Sequence, residues 1–170
     1  MTDGADSSDD LRHLSRTALE RRLRICVAES LTSGRLASAI GGGDDAGRWF
    51  GGGAVVYQSD EKERVLGVTP GLDPCSAEVA EQMAEGARKL FDADLCVATT
   101  GVGGPGPDDN GHAAGTVFLG WATADGVGHR ALMLSGDPAE VMESAVVQAV
   151  RLLTVRIEGV HAAGPRRASS

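Results

Sequence analysis

The chain has 170 residues, a formal net charge of -8 and 42% hydrophobic residues, which suits one domain with a buried core. The acidic balance argues against non-specific binding to nucleic acid, which relies on lysine and arginine neutralising phosphates. No apolar run approaches the length of a membrane span, and the acidic N-terminal segment lacks the pattern of a secretory signal, so we expect a cytoplasmic protein without a membrane partner.

Both ends of the sequence differ in composition from its middle. Residues 1–9 and 159–170 are rich in Asp, Ser, Gly, Ala and Arg and offer little apolar surface to bury. Segments of this kind do not offset the entropy that is lost on ordering. We therefore predict two disordered tails that flank one folded domain over residues 10–158.

The folded region alternates between helix and strand patterns. In chain order, the patterns predict a helix over residues 10–23, a strand over 24–28, a helix over 32–40, a strand over 53–57, helices over 60–66 and 76–91, and a strand over 95–100. Strands over 115–122 and 128–134 are joined by Asp125-Gly126, a strong hairpin signal, and a last helix covers 138–153. This order predicts an α/β fold, with a mixed sheet of parallel strands plus an antiparallel hairpin and helices on both faces.

The junction after the first strand carries the first candidate for chemistry. The apolar run at residues 25–28 is followed by Glu29, Ser30, Leu, Thr32, Ser33 and glycine, where a buried strand gives way to the next helix. Ligands of α/β proteins bind at the carboxyl ends of strands, next to helix starts whose free N–H groups favour an anion. Ser30 is therefore a candidate nucleophile. The alternative is that the hydroxyls only cap the helix.

A serine nucleophile needs a base within hydrogen-bond reach, and Lys62 is a candidate for it. A lysine serves as a base when burial lowers its pKa from about 10.4 toward 7 or 8. Tyr57 lies at the same strand-to-helix turn as Lys62 and is a candidate to orient or relay the proton. The alternatives are an ordinary solvated lysine and a core aromatic ring.

The densest glycine segment, residues 101–107, follows the predicted strand over 95–100. It lacks the Gly-Lys-Ser/Thr ending of a phosphate-binding P-loop and does not match a dinucleotide fingerprint. Two interpretations stay open. The segment is either a tight structural connection or a loop whose backbone amides line a substrate pocket, since glycine permits close approach.

Metal ligands are not clustered in the sequence. Of the four histidines only His112, beside Asp108 and Asp109, is a candidate, and solvated loop residues are the favoured interpretation. The three cysteines lack the spacing of a zinc or redox motif and are interpreted as free thiols, buried where they lie in apolar runs. A catalytic triad that pairs Ser30 with His112 remains a weaker alternative.

Several motifs together carry a family resemblance. They are Val-Ala-Glu-Ser-Leu-Thr-Ser-Gly at 27–34, Gly-Ala-Val-Val-Tyr at 53–57, Lys62, Leu-Gly-Val at 66–68, Thr-Gly-Val-Gly-Gly-Pro at 100–105 and Gly-Thr-Val at 115–117. In this order they resemble the CinA C-terminal domain family over residues 11–157. The resemblance is to its stand-alone form, which lacks the molybdopterin-binding-like domain of longer CinA proteins.

The resemblance implies a three-layer α/β/α sandwich that deamidates nicotinamide mononucleotide to nicotinate mononucleotide and ammonia. It places the family's catalytic positions on Ser30, Tyr57 and Lys62. It also implies a homo-oligomer, a small-molecule nucleotide substrate, and no metal or organic cofactor. The residues expected at the substrate are Glu29, Thr32, Ser33, Gly34, Thr100, Gly101, Gly103 and Gly104.

The chain also departs from the family pattern. Leu31 and Ser33 stand where the family usually has Cys and Gly, and Ser59 where it commonly has Asn. Pro138 and Met142 stand close to the positions of two family arginines. These differences support an alternative function, a catalytically weak relative that binds a nucleotide or a partner through the same pocket.

Overall fold

The computed structural model describes residues 3–162 and 164, with side chains described from residue 7 onward. The helices are α1 (Asp3–Arg21), α2 (Arg35–Gly41), α3 (Ser59–Leu66), α4 (Ala77–Leu90) and α5 (Pro138–Arg156), with short 3-10 turns at Ala46–Arg48 and Ile157–Gly159. The strands are β1 (Ile25–Glu29), β2 (Phe50–Val55), β3 (Leu95–Gly101), β4 (Thr116–Thr123) and β5 (Gly126–Met133). No helix within the described part of the chain is long and apolar enough to cross a bilayer.

The strands form one mixed sheet in the order β2-β1-β3-β4-β5. The strands β2, β1 and β3 run parallel, and β4 pairs antiparallel with β3 and with β5. The turn at Asp125 joins β4 to β5 with Thr123 opposite Gly126, as the hairpin signal predicts. The predicted fold class is therefore confirmed.

Each face of the sheet is covered by helices because successive side chains of a strand point to opposite faces. On β1, Ile25 and Val27 belong to the core cluster that α1, α2 and α5 cover. Cys26 and Ala28, which alternate with them, belong to the cluster that α4 covers together with Leu66 of α3. The chain thus forms the three layers that the resemblance implies.

The first helix starts earlier than predicted. It begins at Asp3, so residues 3–9, which composition assigns to a disordered tail, are helical. Composition misses this because the apolar stripe of α1 starts only at Leu11, which packs against the core. Residues 1 and 2 lie outside the described residues, as do 163 and 165–170 of the predicted C-terminal tail.

The second strand ends earlier than predicted. It covers Phe50–Val55, so Tyr57 lies beyond its end instead of within it. Ser59 is the first residue of α3 and Gln58 its N-cap, without a side-chain capping bond. By contrast, α4 has a side-chain cap, because Ser76 Oγ accepts a hydrogen bond of 3.2 Å from the amide of Val79.

The helix α4 lies unusually close to the sheet at Gly120 of β4. A Cβ atom at this position would stand 2.0 Å from the carbonyl oxygen of Ala80. We expect Gly120→Ala to lower the free energy of unfolding by about 3 kcal/mol, because the backbones of α4 and β4 must separate. Urea denaturation measures the loss. Gly47→Ala is the matched control, since no atom lies within 4 Å of its added Cβ. An equal decrease in the free energy of unfolding of both variants would show that the close approach of α4 to Gly120 is not the cause.

Candidate active site at the carboxyl edge of the sheet

The candidate serine sits where three parallel strands end together. Ser30 follows β1, which lies between β2 and β3. Its amide donates to the carbonyl of Thr99 on β3 at 2.9 Å, and the amide of Val56 donates to the carbonyl of Glu29 at 2.8 Å. Because parallel strands share one carboxyl edge, the segments after β1, β2 and β3 meet here. The structure thus brings the Ser30, Tyr57 and Thr100 segments to one edge.

The carboxylate of Glu29 is fully buried and caps α2. Its Oε2 accepts hydrogen bonds of 3.0 Å from the amides of Gly34 and Leu36, and its Oε1 accepts one of 2.8 Å from Ala37. The hydroxyl of Thr32 donates to Oε2 at 2.5 Å. The carboxylate therefore already fills the anion site that the helix start offers, and burial keeps it from a ligand.

This arrangement differs from the alternative interpretation, in which the hydroxyls only cap the helix. The helix α2 begins at Arg35 instead of near Thr32, and Gly34 is its N-cap without a side-chain capping bond of its own. Ser33 and Gly34 both adopt positive φ angles, of 47° and 96°, which delay the start of the helix. Thr32 is fully buried and hydrogen-bonds to Thr99 Oγ1 at 2.8 Å, so it positions the turn. The sequence interpretation missed the cap because Glu29 precedes the helix by an entire turn.

The hydroxyl of Ser30 has no hydrogen-bond partner within the described part of the chain, although the residue is only 9% exposed. No buried side-chain nitrogen or oxygen of the described residues lacks a partner, so solvent reaches this hydroxyl oxygen. The amides of Ser33 and Gly34 are occupied by Ser30 O and Glu29. The amide of Leu31, the residue after Ser30, donates to no acceptor among the described residues.

Lys62 is a buried lysine at the same edge. Its side chain is 3% exposed, and its Nζ donates to the carbonyl oxygen of Tyr57 at 2.9 Å. Burial lowers the pKa of the Lys62 ammonium group below its ordinary value. The alternative interpretation of Lys62 as an ordinary solvated lysine is therefore wrong. The carbonyl holds the amine at the end of β2, beside the strand that leads to Ser30.

Tyr57 contacts Lys62 through its backbone carbonyl, and its phenol hydroxyl makes no hydrogen bond to Lys62 among the described residues. The side chain is 69% exposed, so the alternative reading of a core aromatic is wrong. Its neighbour Val55, at the end of the edge strand β2, is also half exposed. The ring is therefore largely exposed to solvent just beyond the end of β2.

The glycine segment after β3 folds over the turn that carries Ser30. A Cβ atom on Gly103 would stand 3.3 Å from Leu31 Cδ1. Gly101 sits so close to β4 that an added Cβ would stand 2.4 Å from the carbonyl oxygen of Thr116. Thr100 is buried and donates to the carbonyl of Pro74 at 2.6 Å. Gly104, with a φ of 96°, starts the turn of this loop.

A second polar cluster lies near the end of β3. His112 Nε2 and Asp73 Oδ2 are 2.6 Å apart, and Asp73 Oδ1 accepts from the amide of Cys75 at 3.0 Å. Burial, with Asp108 and Asp73 adding to it, raises the pKa of the Cys75 thiol to about 11. Ser30 makes no hydrogen bond to His112 within the described residues, so the structure does not assemble the Ser-His alternative. The sequence analysis did not predict Asp73 and Cys75 as neighbours of His112, because they lie far from it along the chain.

One cavity of the described structure lies away from these residues. A cavity of 620 Å³ between α5 and Ser7 is lined by Glu140, Glu143 and Arg151, among others, and by none of the candidate catalytic residues. At the edge that carries Ser30, the Tyr57 side chain is 69% exposed while Ser30 is 9% exposed.

Fold and site together define a single α/β/α domain that presents a serine hydroxyl and a buried lysine at the carboxyl edge of its sheet. The profile of the CinA C-terminal domain matches residues 9–157. Protein YdeJ of Escherichia coli is 38% identical over 138 residues, which cover 78% of this chain and 80% of that protein. A crystal structure of a competence-damaged protein (CinA) superfamily protein from Escherichia coli superposes with a TM-score of 0.83 at 32% identity, covering 88% of this chain and 90% of that one. The chain therefore belongs to the CinA C-terminal domain family.

Longer relatives contain this domain as one part. A putative competence-damage inducible protein of Thermoanaerobacter sp. is 34% identical over 145 residues, which cover 83% of this chain and 35% of that protein. The chain thus spans about a third of the length of such relatives.

Proposed function

We propose that this protein is a serine-dependent amidohydrolase that converts nicotinamide mononucleotide to nicotinate mononucleotide and ammonia. The observation that carries the proposal is that one edge of the sheet carries both Ser30, whose hydroxyl has no hydrogen-bond partner among the described residues, and Lys62, a buried amine whose pKa is lowered by burial. A serine nucleophile requires a base for its hydroxyl proton, and the lowered pKa makes Lys62 better suited to that role than a solvated lysine. The substrate itself is inferred from the family resemblance.

In the proposed reaction, Ser30 Oγ attacks the carboxamide carbon while Lys62 Nζ accepts the hydroxyl proton. The tetrahedral intermediate collapses as the amine of Lys62 returns this proton to the leaving nitrogen, and ammonia departs. Water then attacks the acyl-serine with the same lysine as base, which releases the carboxylate product and restores Ser30. The carbonyl of Tyr57 keeps Lys62 in place throughout, by the hydrogen bond of 2.9 Å, and the phenol ring borders the substrate.

The oxyanion of the intermediate needs backbone donors that are not already occupied. The amides of Leu31 and Gly103 donate to no acceptor within the described part of the chain, and the two residues pack against each other. We propose these amides as the oxyanion donors, a contribution of about 3 kcal/mol per donor. Thr100, Gly101 and Gly104 shape the loop that carries Gly103, while Glu29, Thr32 and Gly34 hold the turn that carries Leu31.

The substrate phosphate requires a cation near this edge. Arg48 lies in the turn before β2, at the opposite end of the strand, and pairs with Asp45 at 3.9 Å. Arg35 is the first residue of α2, directly after Ser33 and Gly34, and forms no ion pair with a described residue. We propose Arg35 as the phosphate ligand, with the Ser33 hydroxyl beside it.

The activity is expected to rise with pH through the pKa of Lys62, because only the neutral amine accepts a proton. That pKa lies below the ordinary lysine value, so kcat/KM should increase on the acid side and level off before an unperturbed lysine would titrate. Lys62→Met should lower kcat about a hundredfold or more and remove this limb of the profile. The matched control is Lys89→Met, the other lysine of the chain, which is exposed and pairs with Glu85. An unchanged pH profile in Lys62→Met would exclude the lysine as the base.

A catalytically weak binding module is the second candidate, and one position favours it. Pro138, which stands near a family arginine position, lies beside the glycine loop, 3.9 Å from where a Cβ on Gly104 would stand. An arginine there would reach the substrate side of the loop, and proline offers it no charge. This candidate predicts nucleotide binding without turnover.

One experiment separates the two candidates. The purified protein is incubated with nicotinamide mononucleotide, nicotinamide riboside or nicotinamide, with a metal chelator present, and ammonia is measured beside the binding of each compound. The amidohydrolase predicts ammonia and nicotinate mononucleotide in equal amounts and a preference for the phosphorylated substrate. Binding of the nucleotide without ammonia identifies the binding module. Neither binding nor ammonia from a folded protein would overturn both.

We also propose that the protein forms a homo-oligomer. The side chains of Val55, at the end of the edge strand β2, and of Tyr57, just beyond it, are both exposed, and a second copy that covers them would shield the site from bulk water. Light scattering is expected to give a multiple of the monomer mass of 17.5 kDa. The monomer mass at assay concentration would contradict this assembly.

A further inference from the structure

The loop between β3 and β4 brings together three side chains of different chemistry that are far apart in sequence. The ligand atoms of Cys75, Asp108 and His112 all lie within 4.8 Å of one another. Cys75 comes from the connection before α4, whereas Asp108 and His112 come from the loop. A tetrahedral zinc ion places a sulfur and a nitrogen ligand about 3.6 Å apart. A contraction of at most about 1.5 Å between any two donors therefore closes the three around one ion.

Hydrogen bonds from neighbouring groups orient two of the three donors, His112 and Asp108, as such bonds do in known metal centres. His112 Nε2 lies 2.6 Å from Asp73 Oδ2, so a proton on this nitrogen leaves Nδ1 with its lone pair for a metal. Asp108 Oδ1 accepts from the amides of Asn110 and His112, at 3.1 and 2.7 Å, which orients its carboxylate. Ligands in metal sites commonly carry such second hydrogen bonds.

The charge balance around the cluster also favours a cation. The carboxylates of Asp73 and Asp108 face one imidazole, and within the described part of the chain neither pairs with a lysine or arginine. The Asp73 carboxylate is additionally tied to Asn110 Nδ2 at 3.2 Å. A bound divalent ion would neutralise this excess of negative charge.

We propose that Cys75, Asp108 and His112 bind one divalent transition-metal ion, with zinc as the best fit to a mixed sulfur, oxygen and nitrogen donor set. The Cys75 thiol gives its proton to solvent when its sulfur bonds to the metal, and water or another ligand takes the remaining position. The ion joins the connection before α4 to the loop after β3. This site uses none of the proposed catalytic residues and does not depend on the proposed amidohydrolase activity.

Cobalt is the probe that tests the site, because thiolate-bound Co²⁺ absorbs visibly and Zn²⁺ displaces it. The tag-free protein is stripped with a chelator, dialysed and titrated with Co²⁺. We expect one Co²⁺ per chain, a sulfur-to-cobalt charge-transfer band, loss of the band on adding Zn²⁺, and a higher Tm with Zn²⁺. Absence of binding to the folded protein would overturn the proposal.

Variants assign the ligands. Cys75→Ser should lose the charge-transfer band, and His112→Ala should weaken Co²⁺ binding about tenfold or more. Asp108→Asn, a surface change, supplies a ligand test if replacement of the buried Cys75 prevents folding. The matched control is His129→Ala. His129 lies on β5 and pairs with Glu81 of α4 at 2.7 Å, so this variant should bind Co²⁺ as the parent does. A band that survives in Cys75→Ser, or equal affinity in His112→Ala and His129→Ala, would show that the ion binds elsewhere.

Discussion

Ser30→Ala is expected to lower kcat for nicotinamide mononucleotide about a thousandfold or more, because the acyl-enzyme cannot form without the hydroxyl. Folding should not change, since no described residue hydrogen-bonds to Ser30 Oγ and the amide that donates to Thr99 is retained. Ammonia release and circular dichroism on the same samples measure the two effects.

The control for this substitution is Ser38→Ala, an exposed serine of α2. It should turn over at the parent rate. A further check is a burst of ammonia in the first turnover of the parent, which Ser30→Ala should lack if acylation precedes hydrolysis. Turnover in Ser30→Ala within tenfold of the parent would show that Ser30 is not the nucleophile and that its turn has only a structural role.

Glu29→Ala is expected to produce the largest loss of stability, about 4 kcal/mol in the free energy of unfolding. The substitution removes the acceptor of four hydrogen bonds, from the Thr32 hydroxyl and from the amides of Gly34, Leu36 and Ala37. Each buried donor left without a partner costs about 1–3 kcal/mol, although water entering the gap recovers part of this. The urea midpoint should therefore fall, or the variant should fail to fold.

Two further variants make this result interpretable. Glu29→Gln keeps one oxygen for the donors but turns an amide nitrogen toward another N–H, so a smaller loss is expected. Glu20→Ala is the control, since Glu20 is exposed on α1, and its free energy of unfolding should change by less than about 0.5 kcal/mol. If Glu29→Ala were as stable as Glu20→Ala, the carboxylate would not be the cap of α2.

The fold class was predictable because each signal that decides it is local. The apolar run of β1 and the Asp125-Gly126 turn act over a few residues, and the structure confirms both. Element ends were less predictable. The start of α1 at Asp3 and the end of β2 at Val55 depend on packing partners that a short window of sequence does not contain.

The residues of the candidate site were predictable from the sequence, but their burial and hydrogen bonds were not. The sequence points to Ser30 and Lys62, and the structure supplies burial of the lysine, its anchor on the carbonyl of Tyr57 and the lowered pKa. Whether a lysine is solvated or buried depends on how α3 packs beside β2, which no motif encodes. The cluster of Cys75, Asp108 and His112 was missed for a related reason, since its members meet only when the loop after β3 closes on the connection before α4.

By itself the sequence determined the order of helices and strands, the family, and the presence of a serine, a tyrosine and a lysine at strand ends, because periodicity and motif depend on neighbours along the chain. Only the tertiary structure decided that Glu29 is a helix cap, that the Tyr57 ring is exposed while its carbonyl holds Lys62, and which amides remain free. The physical reason is that burial and hydrogen-bond pairing belong to groups from several segments at once. A carboxylate after a strand can bind either a ligand or backbone amides of its own chain. Here the amides at the start of α2 donate to Glu29.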